Sequence, residues 1–395
     1  LEKAVKSSRL QVGLSAGSHF ITDIYQSAYV GLIPYLTVKF GLSLFQVSLL
    51  AASTVIANSL FSPVFGLLTD RHGLKYYLVA GPLFTSIFLS IVGVLPSFYL
   101  ILLFLFLGNL SIAAYHPASA AVAGHYGGNR KGISSSLINL GGILGNSLGS
   151  LIMIFILEKI GIQYTPLAMV PGIIMAAVLL RYAPGNLETG GLSGVSFLLN
   201  RVKKANRSKL SLLLVIIFMI YTLYIIWITL VNYIPLYYTE KNVSLINIGT
   251  ILLLFGILGG SSGMLSGYLY DRYKKGNIII QIAGITAIPL FFFTFRTEGF
   301  LSIILFIAGG FFMISIQPVC IRMTQDLIPG SMGLASSLIL GLSPGIAGVT
   351  MIFLGKAADR IGIAALVDYE LIGLASSLLL FIFFPVIERR LSRHL

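Results

Sequence analysis

Asp23 is a carboxylate inside a long apolar stretch, with His19 four residues before it and Gln26 three residues after it. Residues at i and i+4 share one face of a helix, so acid and imidazole would meet. Such a pair can hold a proton or pass it on. Leaving a charge at the middle of a bilayer costs about 2.5–3.5 kcal/mol on insertion scales, so the acid must face water, be paired or be neutral. Asp23 and His19 are therefore the proton-coupling candidates. His116 stands beside Pro117 in another apolar run, preceded by Tyr115 and, seven residues earlier, by Asn109; Gln317 stands beside Pro318 in the same way. Tyr221 and Tyr224 share a helix face and could stack on an organic molecule while hydrogen-bonding it. Gln26, Asn109, Tyr115, His116, Tyr221, Tyr224 and Gln317 are thus the substrate-binding candidates. Each has a plainer reading: an Asp–His bond that locks a helix, a histidine satisfying the carbonyl freed by proline, an amide joining two helices. The sequence carries no nucleophile–base pair, multi-cysteine metal site or cofactor motif. No catalytic residue, bound metal, cofactor or enzymatic activity is expected.

The elements that must position these residues are membrane helices. Of the 395 residues, 56% are hydrophobic and 10% charged, whereas a soluble domain carries about 25% charged residues. Apolar runs of twenty or more residues, without period-two alternation, select helices rather than a barrel. Twelve spans fit, near 10–37, 44–68, 76–95, 98–124, 132–157, 164–183, 210–236, 245–270, 277–295, 300–323, 333–355 and 366–387. An even count puts both termini on one side. Of the 26 Lys and Arg, 20 fall on that side and 6 on the other, which makes it cytoplasmic. The net charge of +13 is spread over short loops, so nucleic acid is not an expected partner.

A constant offset of 201 residues links the two halves of the chain. It pairs Pro34 with Pro235, Gly108 with Gly309, Pro117 with Pro318, Ile160-Gly161-Ile162 with Ile361-Gly362-Ile363, and Pro184 with Pro385. It also pairs the charged break Gly66-Leu67-Leu68-Thr69-Asp70-Arg71-His72-Gly73-Leu74-Lys75 with Gly267-Tyr268-Leu269-Tyr270-Asp271-Arg272. The expected organisation is a six-helix bundle over 1–183, a polar cytoplasmic linker over 184–209 and a second six-helix bundle over 210–395. The counterpart of Asp23 is Tyr224, so the shared architecture does not need the acid.

Twelve spans in two repeats, with Gly-x-x-x-Asp-Arg-x-Gly-x-Lys after the second, resemble the major facilitator superfamily. Within it, Ser18-His19-Phe20-Ile21-Thr22-Asp23-Ile24-Tyr25-Gln26, Tyr115-His116-Pro117 and Gly355-Lys356-Ala357-Ala358-Asp359-Arg360-Ile361-Gly362 resemble the fosmidomycin-resistance group. After His116-Pro117 comes Ala118, where that group would suggest a carboxylate. The resemblance implies a proton-driven exporter of small toxic compounds, working by alternating access between two halves. It also implies a gating role for Gly66, Asp70, Arg71, Gly73 and Lys75, and for Gly267, Asp271 and Arg272. The expected partners are a small-molecule substrate, protons and the lipid bilayer of the plasma membrane, with the chain acting as a monomer. Uptake of a nutrient or organic anion by the same fold, and a receptor or scaffold that carries nothing, are the alternatives.

Overall fold

The computed structural model describes residues 2–127, 131–183, 207–327 and 338–391, and every element among them is helical. The helices are α1 (Glu2–Phe40), α2 (Leu44–His72), α3 (Leu74–Ser90), α4 (Phe98–Tyr126), α5 (Lys131–Phe155), α6 (Val170–Tyr182), α7 (Arg207–Glu240), α8 (Leu245–Tyr273), α9 (Gly276–Thr294), α10 (Gly299–Leu327) and α11 (Ser343–Leu391). Ten segments among the described residues are long and apolar enough to cross a membrane. One of these, Ile339–Phe383, holds two spans, because α11 breaks at Gly362 with φ 81° and ψ 167°. The 39-residue α1 is not among the ten, since its polar side chains dilute its hydropathy. With α1 and both arms of α11 the spans number twelve, the all-α fold expected.

Two expected boundaries differ. The polar connection placed between 355 and 366 is instead helix up to a single turning residue, Gly362. Lys356, Asp359 and Arg360 ride exposed on that helix end, and in sequence a solvated helix end looks like a loop. α7 begins at Arg207, three residues ahead of the expected span; the rest of the 184–209 linker lies outside the described residues.

The duplication is visible in the backbone. Left-handed residues recur at the 201-residue offset: Gly41 (φ 61°) with Asn242 (φ 60°), Gly73 (φ 89°) with Lys274 (φ 54°), and Gly161 (φ 118°) with Gly362 (φ 81°). An L-residue pays a steric penalty there, so the turn geometry is imposed by the repeat. Two residues after the first pair come matching helix caps. Ser43 Oγ accepts from Gln46 N at 3.3 Å, and Ser244 Oγ accepts from Asn247 N at 3.4 Å.

Two compact units result. The first gathers α1–α6 with Val231–Gly256, the end of α7 and the start of α8. Here α1 lies flush on α5: Cβ atoms added at Gly141, Gly145 and Gly149 would strike the carbonyl oxygens of Ala16, Phe20 and Ile24. Small residues permit this approach. The Tyr25 hydroxyl ties α1 to α6, donating to Ala168 O at 2.7 Å and accepting from Gly172 N at 3.0 Å. The end of α7 is held by Tyr29 OH donating to Asn232 Oδ1 (2.7 Å) and Tyr233 OH donating to Leu44 O (2.9 Å). The second unit gathers the remainder of α7 and α8 with α9–α11. Within it the Thr222 hydroxyl donates to Ser377 Oγ at 3.3 Å, and Gly309 lies against the ring of Phe291.

Candidate functional site

The glycine contact between α1 and α5 prepares the site. A Cβ on Gly142 would stand 2.7 Å from His19 Nε2 and 2.8 Å from Asp23 Oδ2, so only glycine leaves room for the pair. Asp23 Oδ2 lies 3.3 Å from His19 Nε2, as the i, i+4 spacing requires. The other oxygen, Oδ1, lies 3.2 Å from His116 Nε2 on α4. One carboxylate is thus bracketed by two imidazoles, with the ring centroids of His19 and His116 5.1 Å apart. The side chains of Asp23, His19 and His116 are 10%, 13% and 29% exposed, so His116 is the open side of the triad.

A hydroxyl platform supports the triad. The Tyr115 hydroxyl donates to Ser15 O at 3.1 Å and lies 2.5 Å from Ser18 Oγ, while Ser15 Oγ lies 2.9 Å from Ser119 Oγ. The Tyr115 ring packs beside both histidines, at 5.7 Å from His19 and 6.1 Å from His116. This fixes the one imidazole by its neighbour in α4 and the other by its own helix.

The remaining candidates are placed as follows. Gln26 is half-buried on α1, a turn beyond Asp23. Tyr115 and Asn109 are fully buried in the first unit, and Asn109 Nδ2 donates to Leu105 O at 2.9 Å on its own helix. Both were expected on a cavity wall, and both are enclosed by the helices of the first unit in this conformation. In the second unit Gln317 Nε2 donates to the Tyr224 hydroxyl at 2.7 Å, joining two candidates that the sequence named separately. The Tyr221 hydroxyl lies 3.0 Å from Thr350 Oγ1, and its half-buried ring stacks on Phe218.

In the second copy of the charged break, Asp271 Oδ1 accepts from Arg322 Nη2 at 3.2 Å and has Lys274 Nζ at 3.6 Å. Arg322, near the end of α10, is thus tied to Asp271. Arg272 donates to the Tyr268 hydroxyl at 3.0 Å, and a Cβ on Gly267 would meet nothing within 4 Å. In the first copy, Gly66 faces Pro117 Cβ, Gly73 makes the turn into α3, and Lys75 is half-buried in the first turn of α3. The side chains of Asp70 and Arg71 lie outside the described residues.

Sequence reasoning missed two things. It did not foresee that His116 meets Asp23, because nothing local links α1 to α4. It also named Asp23 as the one carboxylate well inside a span, whereas Glu370 on α11 is equally buried at 7% exposure. The signal was there: Glu370 sits four residues inside the expected span 366–387, two residues after Asp368. Asp368 is the surface group of the two, forked onto Arg296 at 3.0 and 2.7 Å, which holds the guanidinium pKa above its ordinary value.

The triad could also take a metal: its donor atoms all lie within 4.8 Å of one another. Two imidazoles and a carboxylate suit a divalent transition ion. Each carboxylate oxygen, however, already has an imidazole nitrogen at hydrogen-bonding distance.

Comparison with known proteins agrees with this architecture. The fosmidomycin resistance protein of Escherichia coli is 26% identical over 360 residues, covering 89% of this chain and 87% of that one. The multidrug resistance efflux pump PmrA of Streptococcus pneumoniae is 28% identical over 166 residues, 41% of each chain. The crystal structure of a bacterial homologue of the human lysosomal transporter Spinster, inward-facing and unoccupied, superposes with a TM-score of 0.75. It covers 97% of this chain and 95% of that one at 15% identity, a likeness of fold. Residues 16–343 match the sequence profile of the Major Facilitator Superfamily, and the chain belongs to that family of membrane transporters.

Proposed function

We propose that this transporter exports small organic, drug-like compounds in exchange for protons, with Asp23 as the proton-accepting group. The observation that carries the proposal is the bracketing of one buried carboxylate by His19 and His116. An ionised Asp23 satisfies both imidazole N–H groups. A proton on the carboxyl weakens both contacts, and His116, the more exposed ring, then loses the position from which it would hold a substrate. Proton and substrate thereby compete for one constellation, which is the requirement for exchange. A carboxylate in this setting belongs to a transport pathway more readily than to a scaffold, because the repeat does without it at Tyr224. Within the second unit, Gln317 with Tyr224, and Tyr221, supply hydrogen bonds and aromatic faces of the kind such a compound needs; within the first, Gln26 supplies an amide. Gly66, Asp70, Arg71, Gly73 and Lys75, with Gly267, Asp271 and Arg272, form the gating turns, and the Arg322–Asp271 pair is one latch. The termini lie in the cytoplasm and the chain works as a monomer in the plasma membrane. Export rather than uptake rests on the two relatives whose names record resistance and efflux.

Cells expressing the chain and exposed to fosmidomycin provide the test. Raised resistance that a protonophore abolishes is the expected result. Greater sensitivity, or drug accumulation in expressing cells, would establish the uptake direction instead. A chelator should leave transport unchanged, whereas its loss on metal removal would assign the triad to an ion.

A further inference from the structure

Glu370 is used by nothing described so far. It lies in the second arm of α11, eight residues past the break at Gly362. Thr229 Oγ1 on α7 donates to Glu370 Oε1 at 2.6 Å and lies 3.5 Å from Met351 Sδ on the first arm of α11. The other oxygen, Oε2, is buried with no hydrogen-bond partner among the described residues. One turn to either side on its own helix are Leu366, Val367 and Leu374, all buried and apolar. Glu370 forms no ion pair among the described residues. The nearest acid in sequence, Asp368, is engaged by Arg296, and Tyr369 is exposed. Among the described residues, α7 and the first arm of α11 bring a hydroxyl and a thioether to it.

An ionised carboxylate in that setting would be a buried charge with one hydrogen bond and no cation. The neutral acid buries no charge and leaves one hydroxyl without an acceptor, which costs less. The six-helix unit does not require this pair either. At the 201-residue offset, Glu370 corresponds to Met169 and Thr229 to Ala28. Among the described residues each repeat therefore carries one buried acid that its counterpart lacks, Asp23 in the first and Glu370 in the second. Thr229 also sits two residues before Val231, where α7 passes from the second unit into the first. A rearrangement of α7 at that point would break the Thr229 bond and open Oε1 to water.

We propose that Glu370 is a second proton-carrying site of the transport cycle, held neutral by burial among apolar side chains with no cation beside it, and releasing its proton when α7 moves and water reaches the carboxyl. This rests on the proton-exchange reading above and adds a second acid to it. The test uses the full chain and the variants E370Q and T229V. In purified protein, infrared spectra at neutral pH should show the carbonyl stretch of a protonated carboxyl. E370Q should lose that band with its melting temperature unchanged, since glutamine keeps the Thr229 contact. T229V should keep the acid but shift the band. In vesicles, with fosmidomycin as the probe, E370Q should halve the protons moved per molecule of drug. A band that persists in E370Q, or a proton-to-drug ratio equal to that of the wild type, would overturn the proposal. A wild-type protein that moves no protons at all would instead remove the exchange reading, and this proposal with it.

Discussion

His19 and His116 touch the same carboxylate but face different surroundings, so their replacements should part company. Each contributes one hydrogen bond to a charged group, worth about 1.5–3 kcal/mol, roughly ten- to hundredfold in an equilibrium. His116→Gln is expected to weaken drug binding by about that factor, because its ring is the more exposed of the two. His19→Gln is expected to leave drug affinity near wild type and move the pH at which transport is half-maximal. Binding measured at several pH values separates the two; identical effects would make the histidines one structural clamp. Asp23 and His19 were legible because charge and imidazole at i, i+4 in an apolar run advertise themselves. His116 was legible as a polar intruder but not as a partner of Asp23. Glu370 passed unnoticed although it lay inside the expected span, because no second polar group at helical spacing marks it as the His19–Asp23 spacing marks Asp23.

The glycines of α5 set how closely α1 approaches. Gly145→Ala would drive a methyl into the Phe20 carbonyl and Gly142→Ala would press on the Asp23–His19 pair. Overpacking of this kind costs about 1–3 kcal/mol, seen as a lower melting temperature, with transport lost in Gly142→Ala. Gly267→Ala is the control: the site is open and helical, and alanine there gains about 0.5–1 kcal/mol of helix preference. The matched caps give a second check. Ser43→Ala and Ser244→Ala should each cost about 1 kcal/mol, since each removes the acceptor for one helix-end amide. At this scale the repeat was plain in the sequence, down to glycines and prolines at a fixed offset. The shape of the turns was not. Asn242 and Lys274 adopt the left-handed conformation that their counterparts Gly41 and Gly73 adopt freely, and nothing in those residue types reveals it.

Hydrophobic runs and the placement of lysine and arginine carried most of the whole-molecule reading, because both follow from the bilayer rather than from packing. They fix the helical class and twelve spans, and they set the expected orientation. Reporter fusions test the last of these: an enzyme active only in the cytoplasm should work when fused after α11 and fail when inserted at the Gly362 turn. Packing, which the sequence does not spell out, is what assigns the end of α7 and the start of α8 to the first unit. The most direct measurement of the mechanism uses Asp23→Asn in reconstituted vesicles. With a carboxamide in place of the acid, drug exchange at equal pH should continue while accumulation driven by a pH gradient disappears. Accumulation by Asp23→Asn at the wild-type level would contradict proton exchange at this carboxylate.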